Sequence, residues 1–329
     1  MMKILTIALS LFILLTIAWI VSCYFVPHQV EETVIEIKQG SGAQQISNLL
    51  ESKGIIRSRL LFNAYIRLNK VDKKLSYGRY LFHGEMTLSD VVKVLTSANV
   101  LLKSLTIPEG LTLLQTAKLL SARGFGDYDT FLALSRDSIF ASSLVNMPVK
   151  SLEGFLFPET YKLPEDASEE YLIKILVREF KRQTADLDFS GSAEGLFPNI
   201  ILASIVEREA HHRDEYPVIA GVYLNRLHDN HKLQADPTVA YILAKRGIKR
   251  RKIYYKDLRI DNPYNTYKYT GLPPGPICSP GIDAINSVLT PHDTDYYFFF
   301  AGNNGRHEFS RTYSEHLRKQ SEIKKLNAS

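Results

Sequence analysis

At 329 residues, with 45% hydrophobic and 23% charged side chains and a net charge of +5, the chain has the composition of a folded protein of two or three domains. The basic excess is spread along the sequence and lacks the clustered stripe of a nucleic-acid binder. The two cysteines, Cys23 and Cys278, lie far apart, and the nine histidines include no HExxH pair, so neither a disulfide framework, a metal nor a cofactor is expected.

Lys3 precedes an uncharged apolar run from Ile4 to Val26, long enough to cross a bilayer as a helix. Trp19, Tyr24 and Phe25 lie toward its outer end, and Pro27 would stop it. Lys3 on one side and Glu31–Glu32 on the other predict a cytosolic N-terminus, with the rest of the chain outside the cytoplasm. A cleaved signal peptide would need a shorter apolar core and a small-residue cleavage site. Ile20–Val21–Ser22–Cys23 resembles a degenerate lipoprotein box, yet the apolar run continues past the cysteine. Residues 1–27 are therefore read as a cytoplasmic tip and transmembrane anchor.

A repeat follows. Glu36 to Gly40, a helical pattern from Gln44 to Lys53 and Gly54 recur as Thr106 to Gly110, Leu114 to Arg123 and Gly124. Each copy predicts a strand, a glycine turn, an amphipathic helix and a second helix, near Leu60–Leu68 and Thr130–Leu134. Gly78 to Phe82, with a helix from Leu88 to Leu95, is echoed by Gly154 to Phe157 and a helix from Glu169 to Phe180. Two small α/β units, at 28–100 and 101–190, are the economical reading. Units of this size resemble the LysM glycan-binding module; they would bind glycan or act as spacers.

Ser190 to Gly195 is a polar linker, which opens a last domain at 191–329. In Pro198 to His211, the residues Ile200 to Val206 carry no charge and point in every direction on a helical wheel, which predicts a helix buried all round. Glu207 follows on the face of Ala203 and Ser204. A carboxyl there would be paired or would have the raised pKa that a general acid needs. Glu209 is rotated about 200° away and faces a different direction. A second helix from Pro217 to Leu227 and a third opened by Asp236 as cap, with Pro237 at its first position, come next.

Asp261 to Gly281 holds five prolines, three tyrosines and two asparagines. Tyrosine faces and amides suit a sugar, and prolines would hold them still, although such a loop also suits a structural role. A helix from Ile282 to Leu289 precedes a hairpin, Tyr296–Phe300 with a return strand from His307 across the Asn303–Asn304–Gly305 turn. An amphipathic helix from Tyr313 to Lys325 ends the chain. No serine elbow, P-loop or dinucleotide fingerprint occurs. The fold class is α+β: an N-terminal transmembrane helix, LysM-like α/β units, then a mainly helical domain with a C-terminal β-hairpin.

Six ordered motifs carry a family resemblance. They are Ala203 to Glu209, Val222 to Leu227, Leu233 to Thr238, Tyr264 to Tyr267, Gly271 to Gly275 and Ser279 to Gly281. Upstream, Pro108–Glu109–Gly110 and Leu152 to Tyr161 agree with them. Together they resemble the membrane-anchored endolytic murein transglycosylases over nearly the whole chain. The resemblance implies cleavage of nascent peptidoglycan strands between N-acetylmuramic acid and N-acetylglucosamine, at the cytoplasmic membrane and alongside cell-wall synthases. It implies Glu207, the first glutamate of its run, as the catalytic acid. One carboxyl suffices for this chemistry, because the attacking hydroxyl belongs to the substrate. Candidate substrate-binding residues, by motif, are Asn225, Gln234, Tyr264 and Asn265. A non-catalytic glycan-binding scaffold and a lysozyme-like hydrolase are the alternatives.

Overall fold

The structure, a computed structural model, describes residues 24–38, 40–75, 78–96, 102–164, 167–190, 195–210, 212–248, 250, 252–302 and 305–326, with positions 14, 19, 21 and 22. The apolar run at 4–26 lies mostly outside them, as do His211, Asn303 and Asn304. Among the described residues no helix is long and apolar enough to cross a membrane. The architecture is a mixture of strands and helices, with helix predominating.

The chain divides into two units, Met1–Lys103 and Ser104–Ser329. In the first, β1 (His28–Ile37) pairs antiparallel with β2 (Gly78–Met86), from Ile37 opposite Gly78 to His28 opposite Met86, with a bulge between Val30 and Thr33. Between the strands run α1 (Ala43–Ser52) and α2 (Arg59–Leu68), and α3 (Leu88–Thr96) follows. Each helix start has a local cause. The Gly42 N–H donates to the Gln45 side chain, Ser58 Oγ accepts from the Leu61 N–H, and Thr87 and Asp90 cap one another reciprocally. Leu50, Phe62, Ile66, Tyr80, Phe82 and Leu95 fill the core between sheet and helices.

The second unit repeats this order. β3 (Leu102–Thr106) shares a two-stranded sheet with β4 (Thr160–Pro164), and α4 (Leu113–Ala122), α5 (Tyr128–Arg136) and α7 (Glu169–Thr184) match the helices of the first copy. The capping box of Thr112 and Gln115 on α4 occupies the place of Gly42 and Gln45 on α1. Two features depart from expectation. An extra helix, α6 (Ser138–Val145), is inserted, and where Gly154–Phe157 echoes the residues of β2 in sequence, the strand itself lies at Thr160–Pro164. Leu152, Phe155, Leu156 and Phe157 are all buried, without the alternation of a half-buried strand, and the Phe155 N–H donates to the Leu152 carbonyl in a turn. Gly154, at φ +90°, makes that turn against Pro276, whose Cγ would be 2.5 Å from any Cβ there.

The break expected near residue 190 falls inside the second unit. Strands and helices of 104–190 are bonded into the last part of the chain, as the Gly110 N–H donates to the Ser279 carbonyl and the Ser279 N–H to the Leu111 carbonyl, both at 2.9 Å. The centre of that last part is α8 (Leu196–Glu209), which places Pro198 in its first turn, where a missing N–H breaks no helical bond. Every residue from Asn199 to Val206 is buried. Packed around it are α9 (Tyr216–His228), α10 (Asp236–Lys245) and α11 (Ile282–Leu289). Four large apolar side chains of α8 (Ile200, Leu202, Ile205 and Val206) are wholly inaccessible. Each such burial contributes about 1.5–3 kcal/mol. The antiparallel hairpin β5 (Phe298–Ala301) and β6 (His307–Ser310) and the helix α12 (Tyr313–Leu326) close the unit.

Candidate active site

Helix α8 ends in two carboxyls on opposite faces, and each has its own surroundings. Glu207 Oε2 accepts from the Gly281 N–H at 3.0 Å, and Oε1 from the Tyr216 hydroxyl at 3.3 Å. Beside it, Arg213 bridges Glu109 and Asp283. Burial, reinforced by the Glu109 charge and opposed by the Gly281 N–H, pushes Glu207 up to about 7. The space is tight: a Cβ on Gly281 would fall 2.2 Å from Glu109 Oε1. Both oxygens of the expected catalytic acid are thus engaged by the protein. Glu207 is not among the residues that line the cavities beside Glu153 and Glu209.

Glu209 opens onto a groove of about 460 Å³. One oxygen accepts a short hydrogen bond from the Tyr223 hydroxyl on α9, and the other has no protein partner among the described residues. Burial raises its pKa to about 7, with the Asp236 charge adding to the rise and the Tyr223 bond and Arg226 opposing it. Asp236 opens α10, but Ala235 occupies the cap position and no side-chain cap bond forms. The Asp236 carboxylate instead accepts from the Tyr267 hydroxyl at 2.6 Å and lines the groove, so capping does not account for it. Arg226 is held by the carbonyls of Tyr297 and Leu233, at 2.6 and 2.8 Å. Gln234, on left-handed backbone at φ +53°, and the hairpin residues Phe298 to Phe300 complete the walls. The groove therefore offers a protonatable carboxyl, a second carboxylate, an amide and aromatic faces.

Of the four candidate binding residues, only Gln234 lies in this groove. Asn225 donates to the carbonyls of Thr294 and Tyr296, at 2.7 and 3.1 Å, and fixes the approach to β5. Asn265 is fully buried; its amide donates to the carbonyls of Leu258 and Ile260, while its oxygen accepts from the Tyr267 N–H. Both are clamps within the fold. Tyr264 packs on Tyr241, ring centroids 5.0 Å apart, and lines a different cavity beside Glu153. Glu209, Tyr223, Arg226, Asp236 and Tyr267 are the groove residues that reading by motif passed over. The signal available was the second carboxyl of the Glu207–Glu209 pair, pointing to the side where the Gln234–Asp236 segment returns.

A family model for the YceG-like family matches residues 35–322. The chain belongs to the YceG-like family. It is 32% identical over 299 residues to an endolytic murein transglycosylase of Bacillus subtilis, covering 86% of this chain and 82% of that one. It is 32% identical over 322 residues to a Streptococcus pneumoniae protein of the same description, of which it spans 58% of the length. A crystal structure of a YceG-like protein from Listeria monocytogenes superposes with a TM-score of 0.61 at 33% identity, over 88% of this chain and 98% of that one.

The motifs that this YceG-like chain carries sort into three clusters. Pro108–Gly110 and Ser279–Gly281 meet at Glu207, the Leu233–Thr238 and Tyr264–Tyr267 runs meet near Glu209, and Leu152–Phe157 meets α10 at Glu153. Because Asn265 is a clamp, Asn265→Ala should lower stability by about 1–3 kcal/mol while turnover per folded molecule changes little. Melting and activity measured on the same sample check this. A loss of turnover without a loss of stability would return Asn265 to the binding surface.

Glu153, Glu207 and Glu209 all have folded-state pKa values of about 7. The folded protein therefore holds protons that the unfolded chain, with ordinary carboxyls, releases between about pH 4.5 and 7. The stabilisation is complete below that window and is lost as pH rises through it. Thermal stability should fall from pH 5 to 8, and the fall should be shallower in Glu209→Gln. A slope unchanged in the variant would show that Glu209 ionises normally in the fold.

Proposed function

We infer that the chain is an endolytic murein transglycosylase, a lyase that cuts peptidoglycan glycan strands internally between N-acetylmuramic acid and N-acetylglucosamine and leaves a 1,6-anhydromuramoyl end. The observation that carries this reading is the groove at Glu209. A carboxyl whose pKa is about 7, with one oxygen unpartnered among the described residues, stands among aromatic walls and polar groups suited to sugar rings. The similarity to relatives described as endolytic murein transglycosylases supports it.

In this reading Glu209 is the acid and base. Its proton passes to the glycosidic oxygen as the C1–O bond breaks. The resulting carboxylate takes the proton of the muramic C6 hydroxyl as that oxygen closes on C1, so the enzyme returns to its starting protonation and no water is consumed. The Tyr223 hydroxyl steadies the carboxyl, the Asp236 carboxylate favours the positive charge developing at the ring, and the Gln234 amide is placed to bind an N-acetyl group. Asp236 is also the residue that a lysozyme-like hydrolase would use. Mass spectrometry separates the two chemistries, since the anhydro product is lighter than a reducing end by one water.

Glu209→Gln should lower turnover by at least about a hundredfold with the fold intact, the loss typical of acid–base catalysis. Glu207→Gln, which alters a carboxyl already bonded to Gly281 and Tyr216, should retain far more activity. The reverse order would assign the acid to Glu207, the residue that the family resemblance points to. With Glu209 as acid, wild-type activity should also decline above about pH 7.

The apolar run at 4–26 supports a single-pass anchor in the cytoplasmic membrane, with the catalytic unit outside the cytoplasm beside the synthases that extrude new strands. The first unit, with its LysM-like order of strand, two helices, strand and helix, would then hold or space the glycan between membrane and groove. A chain beginning after Pro27 should cleave isolated murein normally yet complement poorly in cells, because tethering raises the local concentration at the substrate. Full complementation by an untethered, exported version at native abundance would reduce the run to an export signal.

A further inference from the structure

We propose that the cavity beside Glu153, toward the other end of α10 from Asp236, is a second ligand site that takes the carboxylates of a murein peptide stem. The proposal rests on the transglycosylase reading for the identity of the polymer, not for the existence of the site. The cavity measures about 500 Å³. Arg136 from the end of α5, Lys150 from the segment after α6, and Lys245 and Arg246 from the end of α10 all line it. All four are exposed, and none makes an ion pair among the described residues. The acid in the lining, Glu153, is buried, and its oxygens are occupied by the Leu113 N–H at 2.7 Å and the Tyr241 hydroxyl at 3.1 Å. Four cations gathered around one concavity repel one another and concentrate an anionic ligand there.

The form of the site narrows the ligand. The cations come from three separate segments, the ends of α5 and α10 and the stretch after α6, whereas phosphate is a compact dianion. Separated carboxylates match separated cations better. The tilted ring pair Tyr241 and Tyr264 supplies an apolar wall, and Lys245 Nζ is held 5.4 and 5.8 Å from their ring centroids. Uncharged sugar rings would use the wall and leave the cations unanswered. A peptide stem, with alanine methyls between free carboxylates, uses both. Extended, a stem of five residues spans about 17 Å, comparable with the length of about 15 Å of the ten-residue α10 that separates this cavity from the groove.

The test uses the full chain and two substrates: strands bearing stems, and the same strands stripped by an amidase. A variant combining Arg136→Gln, Lys150→Gln, Lys245→Gln and Arg246→Gln should raise KM about tenfold on stem-bearing strands, leave kcat unchanged, and leave both constants unchanged on stripped strands. By calorimetry the free stem tetrapeptide should bind the wild type, more weakly with added salt, and should not bind the variant. Lys245→Arg, which keeps the charge, should behave as wild type. Equal effects on the two substrates would overturn the proposal, as would peptide binding that survives in the variant. Displacement of the peptide by inorganic phosphate at equal concentration would overturn it in favour of a general anion site. If the wild type cleaves neither substrate, the transglycosylase reading fails, and peptide calorimetry still decides the site.

Discussion

The second unit depends on one constraint: α8 is buried on every side from Asn199 to Val206, so the acids at its C-terminal turn are where its polar groups meet the surroundings. Helix geometry then sends Glu207 and Glu209 to opposite faces, about 200° apart. Three helices must pack around α8 to keep its apolar sides from water, and in doing so they build a different wall beside each carboxyl. On one side the wall is made by Gly281, Glu109 and the half-exposed Arg213. On the other it opens into a groove rimmed by α10 and the aromatic hairpin. Burial raises the pKa of both acids for the same reason, so what separates them is the set of partners around each.

The loop from Asp261 to Gly281 is what joins the parts. Its Ile277 N–H donates to Ser204 Oγ on α8, its Cys278 thiol to the Ser204 carbonyl, and its Ser279 backbone exchanges bonds with Gly110 and Leu111. Leu113 and Tyr241 meet across the Glu153 carboxyl in the same way. These bonds make one unit of segments whose composition shifts at a polar linker, and they give the prolines of the loop a structural task. The loop also reaches the groove, where its Tyr267 hydroxyl bonds Asp236.

Much of this was legible in the sequence. Helix bounds followed from capping residues and apolar period: the helix expected from Ile282 to Leu289 is observed over those residues, and the internal repeat returns as two strand-and-helix sets. The echo at Gly154 misled because similar residues served a buried turn, and burial on every face erases the two-residue period by which strands are recognised. At the site, periodicity correctly separated Glu207 from Glu209. It could not say what lines either face, since those walls are made by residues brought from elsewhere in the chain. For the same reason Asn225 and Asn265 looked like sugar ligands: an amide in a motif suits a backbone clamp as well as an acetamido partner, and only long-range contacts distinguish them.

Cys278 is fully buried against the carbonyl of Ser204, and burial pushes its thiol well above the usual range. Such a sulfur stays inert in an oxidising compartment while the loop remains seated on α8, since thiolate and access are both denied. The chain holds two cysteines, so a form starting after residue 27 retains this one alone. Its reactivity then becomes a clock for the seam itself. The rate at which a thiol reagent finds Cys278 counts how often the proline-rich loop lifts from the helix that carries both acids, and substrate that holds the seam shut would slow the count.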